Sequence, residues 1–200
     1  MKNQKSKKII FGILSTVFVA GLNQEAHAAF SVGPLTFGPF VDPSLTYEKG
    51  DGNVNYPASF SSGKGELDGF GIGARAGVHV SEIVFVGIDA RYSMLKYKDT
   101  TANYDESATA FNWGPVAGVQ MPIAGLRVWG SYIIGGELDP DSGNSFDVKF
   151  KGVDGYRVGA GVRVLITSLN LEYQKLSYDE VMPCPPTSYH LSSRVSPKIV

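Results

Sequence analysis

Eight times along this chain the side chains alternate between apolar and small or polar, in blocks of roughly ten to fifteen residues that keep phase. The blocks are Leu35–Glu48, Leu67–Val80, Ile83–Tyr97, Ser107–Met121, Leu126–Leu138, Val148–Val164, Ser168–Ser177 and Ser188–Val200. Successive side chains of a strand point to opposite faces, so period two means a strand with one apolar face. After residue 28 no stretch carries a helical 3.6-residue pattern, and none is an apolar run long enough for a membrane helix.

The connections alternate too. Blocks two and three meet at Ser81-Glu82, four and five at Pro122-Ile123-Ala124-Gly125, and six and seven near Leu165 to Thr167. The others are long and rich in Asp, Asn, Ser, Gly and Pro: Gly50 to Gly65, Lys98 to Glu106, Asp139 to Asp147 and Tyr178 to Thr187. Short turns at one end and long polar loops at the other describe an up-and-down meander. Eight antiparallel strands, an even number, close into a barrel.

The second face says which side of the barrel is wet. Between the apolar residues stand glycines, together with Arg75, Arg91, Arg127, Arg157, Arg163 and Arg194 and the carboxylates Asp42, Asp89, Glu137 and Glu172. Lys198 is the one lysine of that face. A solvated face would carry Lys, Glu and Thr, whose stems cover a sheet. Glycine alternating with arginine fits a crowded interior, where guanidinium forks pair with carboxylates. The polar face therefore points inward and the apolar face meets lipid, opposite to a soluble lipocalin-like barrel. In "GFGIGARAGVHV" (Gly69 to Val80) Gly71, Gly73 and Gly77 leave room in the lumen, and Arg75 crosses it toward Asp89 first and Glu172 second. Arg75, Asp89, Arg91, Arg157, Glu172 and Arg194 are expected to form one luminal charge belt. Phe70, Tyr92, Phe111, Trp113, Tyr156 and Tyr189 fall at one height on the apolar face, where an aromatic girdle at the outer interface belongs.

The first 28 residues read as a cleavable secretory signal. Lys2, Lys5, Lys7 and Lys8 precede an apolar stretch from Ile9 to Leu22, and Ala26-His27-Ala28 fits the small-x-small rule for cleavage after Ala28. Removing residues 1–28 takes four lysines and one glutamate from 18 basic and 19 acidic residues, leaving 14 and 18 and a net charge of −4. That excludes a basic surface for nucleic acid. The one cysteine, Cys184 in "MPCPP", cannot form an internal disulfide.

Signal, eight amphipathic strands, short turns and long outer loops together resemble the small eight-stranded outer-membrane β-barrels of Gram-negative bacteria, the group of the OmpA transmembrane domain, OmpX and OmpW. The resemblance covers residues 29–200 and lies in pattern. It implies short turns in the periplasm, loops outside, and contact with outer-membrane lipid and lipopolysaccharide. It also implies passage by periplasmic chaperones and the barrel-assembly machinery, and a host or surface ligand met through the loops. Such chains usually end in an aromatic residue, whereas this one ends "SPKIV", as a truncated or variant terminus would.

Catalytic motifs are thin. His190 and Ser192 in "HLS" match the first part of a lipid A deacylase pattern, but no glutamate follows and His190 faces inward. His79 near the short-turn rim reads as a structural histidine. The sequence holds no phosphate-binding loop, no H-E-x-x-H and no Cys/His metal pattern. Loop aspartates Asp51, Asp99, Asp105, Asp139, Asp141 and Asp147 are solvated or meet divalent cations bridging lipopolysaccharide.

The expectation is therefore an all-β protein: a signal over 1–28, then an eight-stranded antiparallel up-and-down transmembrane β-barrel over 29–200. It is monomeric and non-enzymatic, without cofactor or metal, and its recognition lies in four outer loops. A narrow channel for small or hydrophobic solutes is the alternative, and a lipid-modifying enzyme the third reading.

Overall fold

A computed structural model describes residues 9–20, 30–54, 63–99, 104–121, 125–141, 148–164 and 167–183. They form ten strands: β1 Ile9–Ala20, β2 Phe30–Val32, β3 Leu35–Val54, β4 Gly63–Val80, β5 Val84–Asp99, β6 Tyr104–Met121, β7 Leu126–Ile133, β8 Gly135–Pro140, β9 Val148–Val164 and β10 Thr167–Pro183. β7 and β8 are one strand position interrupted at Ile134, since both pair with β6 on one side and β9 on the other. β2 only folds back on the start of β3. Eight positions remain, each antiparallel to its neighbours, and β1 closes the ring by pairing with both β10 and β3. Every strand position is thus paired on both sides, with residues 38–44 of β3 laddered to β4 alone, and ring closure is what allows a sheet to stand in hydrocarbon.

The turns follow from local chemistry. Ser81 and Glu82 both take positive φ (51° and 60°), and the Ile83 amide donates to the Val80 carbonyl at 3.3 Å. That is a type I′ turn, whose twist matches the strands it joins. The β6–β7 turn uses Gly125 at φ 62°, with its amide donating to the Met121 carbonyl at 2.9 Å.

Strict alternation is broken twice in the upper half, and both breaks correct the sequence expectation. At Gly135-Gly136 the chain leaves the ladder and re-enters one residue out of phase. Ile133 and Leu138 then both point inward (0% exposed each), while Glu137, expected in the lumen, has a 41% exposed side chain. At Gly152 (φ 66°) β9 does the same, and Phe150, expected on the lipid face, is buried inside at 2%. A bulge shifts every residue beyond it to the other face, and alternation alone does not show where it sits.

The closing position also differs from expectation. Ile9–Ala20, read from sequence as the apolar part of the signal, is the strand between β10 and β3. The expected eighth strand, Ser188–Val200, lies outside the described residues, as do Cys184, Tyr189 and Arg194.

Gly136 carries the first bulge at φ 147°, and a Cβ there would stand 2.0 Å from the Phe111 carbonyl oxygen. Gly136→Ala is expected to destabilise the folded barrel by about 1–3 kcal/mol, whereas Gly38→Ala, with nothing within 4 Å of its Cβ, leaves the urea midpoint unchanged. Urea titration of both variants in lipid vesicles, read by the folded–unfolded gel shift, checks the contrast.

Candidate functional site

The lumen is crossed by four arginines and four carboxylates, all at most 8% exposed: Arg75, Arg91, Arg127 and Arg157 with Asp42, Glu48, Asp89 and Glu172. An ion cannot be buried without partners, so each arginine should be found in a pair, and each is. Glu172 on β10 is the hub. Its two oxygens accept separately from Arg75 Nη2 on β4 and Arg91 Nη2 on β5, and Arg157 Nε lies 3.7 Å from Oε2. Asp89 accepts from Arg157 Nη1 at 2.5 Å and from the Ser131 hydroxyl at 2.9 Å, with Arg75 Nε 3.8 Å away. Glu48 on β3 takes Arg91 Nη1 at 3.4 Å, the Ser93 hydroxyl at 2.8 Å and Gln174 Nε2 at 3.3 Å. Arg157 also donates through Nη2 to Asn112 Oδ1 at 2.6 Å and through Nε to Gln174 Oε1 at 3.1 Å. Nearer the short turns, Arg127 donates to Asp42 at 2.8 Å, Ser168 at 2.9 Å and Asn170 at 3.1 Å. The guanidinium groups of Arg75 and Arg127 lie 4.2 and 5.3 Å from the centre of the Trp129 ring, within cation–π range.

An apolar layer closes the belt toward the long loops, and a smaller apolar cluster lies beside Arg75 and Arg127 nearer the short turns. Toward the short turns Phe40, Phe85, Val116 and Trp129 pack together, with the His79 ring 4.5 Å from Phe40 and 5.8 Å from Phe85. Toward the long loops the lumen fills with Leu67, Leu95, Tyr97, Ile133, Leu138, Phe150, Leu176 and Tyr178. The expectation of a polar lumen thus holds for the middle of the barrel, and the upper third is a hydrophobic core. The outer face inverts at the same height. Below it stand exposed Leu45, Ile72, Ile88, Val128, Val158 and Leu171. Above it, in the same outward phase, stand Lys49, Asp68, Lys96, Asp105 and Lys175, all exposed.

Between these zones stand exposed aromatics: Phe70, Tyr92, Phe111, Trp113 and Tyr156, five of the six named from sequence, together with Tyr47, Tyr132 and Tyr173. The Tyr47 ring lies tilted against Phe70, centroids 5.2 Å apart, and donates its hydroxyl to Asp68 at 2.6 Å, so the ring is apolar on one side and hydrogen-bonded at its tip.

The family profile described as outer membrane protein beta-barrel domain matches residues 14–188. The chain belongs to that family. No curated protein matches it. In an outer membrane barrel the inversion has a direct meaning: the lower outward face lies in hydrocarbon, and the charged upper face stands in water.

Of the six belt residues named from sequence, the barrel brings together Arg75, Asp89, Arg91, Arg157 and Glu172, while Arg194 is outside the described residues. Arg75 reaches both carboxylates considered for it, with Glu172 the hydrogen-bonded one and Asp89 the longer contact. Sequence reasoning missed Glu48 and left Arg127 and Asp42 out of the network. The signal was there: Asp42, Thr46 and Glu48 share the inward phase of β3. Glu137 belongs instead to an outside cluster, where Lys149 Nζ bridges it and Asp139 at 2.9 Å each. His190 and Ser192 lie outside the described residues. Among the described residues no group of three or more His, Cys, Asp or Glu is placed to hold a metal ion.

Glu172→Gln leaves Arg75 and Arg91 without their shared carboxylate in a site Glu172 occupies at 1% exposure. Breaking such a buried set costs about 3–5 kcal/mol, against about 0–1 kcal/mol for exposed pairs such as Glu137–Lys149. E172Q is therefore expected to lose most of its folded fraction at urea concentrations that E137Q survives.

Proposed function

We propose that this outer membrane barrel is a non-conducting structural element of the envelope whose outer loops carry surface recognition. The observation that supports it most is the luminal belt. Charges on β3, β4, β5, β7, β9 and β10 meet across the full width of the barrel, four against four, with an apolar layer toward the long loops and an apolar cluster packed among the charges nearer the short turns. An eight-stranded ring is about wide enough for side chains to fill it. A belt whose ions satisfy one another at 8% exposure or less is cross-bracing.

The recognition part of the proposal follows from the same economy. The body spends its polar groups on itself, so a partner has to be met by the connections at the long-loop end, and loops on a rigid scaffold are where binding varies. The partners proposed are outer-membrane lipid and lipopolysaccharide around the girdle, the periplasmic chaperones and assembly machinery during biogenesis, and a host or surface ligand at the loops. The protein acts as a monomer and without catalysis or cofactor. Residues 1–28 are proposed to be an export signal cleaved after Ala28, so that the ring closed by Ile9–Ala20 is that of the uncleaved chain, with the mature chain in the outer membrane of a Gram-negative bacterium.

Planar-bilayer recording of the refolded mature protein tests the central point. The expected trace is flat at voltages where porins conduct. Discrete openings that vanish in Arg75→Ala or Arg157→Ala overturn the proposal in favour of a narrow solute channel.

A further inference from the structure

Below the exposed aromatics the outer face is not evenly filled. A hollow of about 420 Å³ lies across β6, β7, β9 and β10, toward the short turns. One cross-strand row lining it runs Val119, Val128, Ala160, Leu171, and a second, one pleat lower, runs from Met121 to Leu169. Ala160 is the small residue of its row and makes the floor. The next outward pair above is also small: Ala117 and Gly130 face each other across β6 and β7, both exposed. A Cβ on Gly130 would meet nothing nearer than the Arg157 carbonyl oxygen at 3.9 Å, so this glycine makes room for no luminal neighbour. It leaves the outer surface open. Tyr132, 58% exposed, stands one pleat higher on the same strand.

The dimensions choose the occupant. From Leu126 to Tyr132 the strand advances six residues, roughly 20 Å. Tilted at about 45°, that is about 14 Å along the membrane normal, close to half of a hydrocarbon core about 30 Å thick. The hollow and its upward continuation therefore have the depth of one leaflet. A protein segment is too thick for them: an α-helix about 10 Å across fills such a volume with roughly one turn. A single acyl chain is thin enough to lie along the whole length. This face already meets hydrocarbon, so removal from water contributes nothing, and what an acyl chain gains is contact with a wall on each side. At the foot the barrel supplies a cation. Arg163 follows Val162 and is half-buried at the short-turn rim. Its amide donates to the Gly125 carbonyl at 2.8 Å, one residue from Leu126.

We propose that this hollow seats one acyl chain of a phospholipid of the periplasmic leaflet, with the lipid's phosphate at the rim beside Arg163. The inference rests on the reading that the short turns face the periplasm. The chain lies over Ala160 between Val128 and Leu171, which flank it across the ladder. A guanidinium at the rim is the side chain suited to a phosphate, and its long stem lets the charge stay at the water level while the chain runs upward. A lipid held there keeps one bearing on the barrel, unlike those that exchange around the rest of the wall.

Native mass spectrometry gives the test. The protein is extracted from outer membranes in mild detergent and sprayed as folded ions. Wild-type protein is expected to keep one phospholipid at detergent levels that strip the rest. Ala160→Phe, which fills the floor, lowers the lipid-bound fraction several-fold. Ala74→Phe, at another exposed alanine of the outer face, on β4, leaves it unchanged. Arg163→Gln lowers it by a smaller factor. Equal retention in A160F and wild type, or an equal loss in A74F, overturns the seat. Unchanged retention in R163Q overturns the placement of the phosphate. A dimer that A160F dissolves, with no lipid bound, gives the hollow to a second copy of this chain and overturns the proposal. Lipopolysaccharide as the retained lipid, still displaced by A160F, overturns the orientation reading instead, because that lipid belongs to the outer leaflet.

Discussion

A sheet in hydrocarbon has no solvent for an unpaired amide, so everything in this protein hangs on ring closure. Each of the eight positions is hydrogen bonded on both sides. Closure brings a second obligation. Once the ring is shut, whatever points inward is sealed from bulk water, and the apolar residues are already committed to the outside. The interior must be built from the remaining residue types, and it stands only if they neutralise one another.

Glu172 shows how that is met. One carboxylate on β10 takes guanidinium groups from β4 and β5, so three strands spread around the ring are tied at one point. Asp89 and Glu48 repeat the device with different strands. Glycines make it possible, because a belt of arginines needs empty wall to lie against. A Cβ on Gly159 would meet Trp129 at 2.4 Å and a Cβ on Gly73 the Ser44 hydroxyl at 2.8 Å. Packing and electrostatics are here one problem, since the space that admits each long side chain is also what brings its charge to a partner.

The strands and turns were legible in the sequence because period two is enforced wherever two faces meet different media. Val84–Asp99 and Val148–Val164 sit where the alternation of Ile83–Tyr97 and Val148–Val164 places them. Facing went wrong only beyond glycines that absorb an extra residue. Glu137 follows Gly135-Gly136 and Phe150 precedes Gly152, and nothing in composition distinguishes these glycines from those that merely make room. The belt was legible as a set, since like charges on one phase must find opposite ones, but not as pairs. Arg75 reaches Glu172, 97 residues away, better than its ladder neighbour Asp89, because partner choice depends on curvature around the ring. The hydrophobic upper lumen was also written in phase, with Leu67, Leu95, Tyr97 and Leu176 on the face of the arginines.

That upper lumen gives the barrel a waterline. One continuous sheet is lipid-soluble outside below the aromatic row and water-soluble outside above it. Sinking would draw Lys96, Asp68 and Lys175 toward hydrocarbon together, at a cost that rises from about 0–1 kcal/mol per lysine near the interface to about 2–4 kcal/mol at mid-membrane. Rising would strip lipid from Ile72, Ile88 and their neighbours all round the ring. Neither face can yield without the other, so the barrel has a fixed draught. Above the aromatic row the strands continue as a short collar of sheet, clear of the hydrocarbon by a height that the strands themselves set.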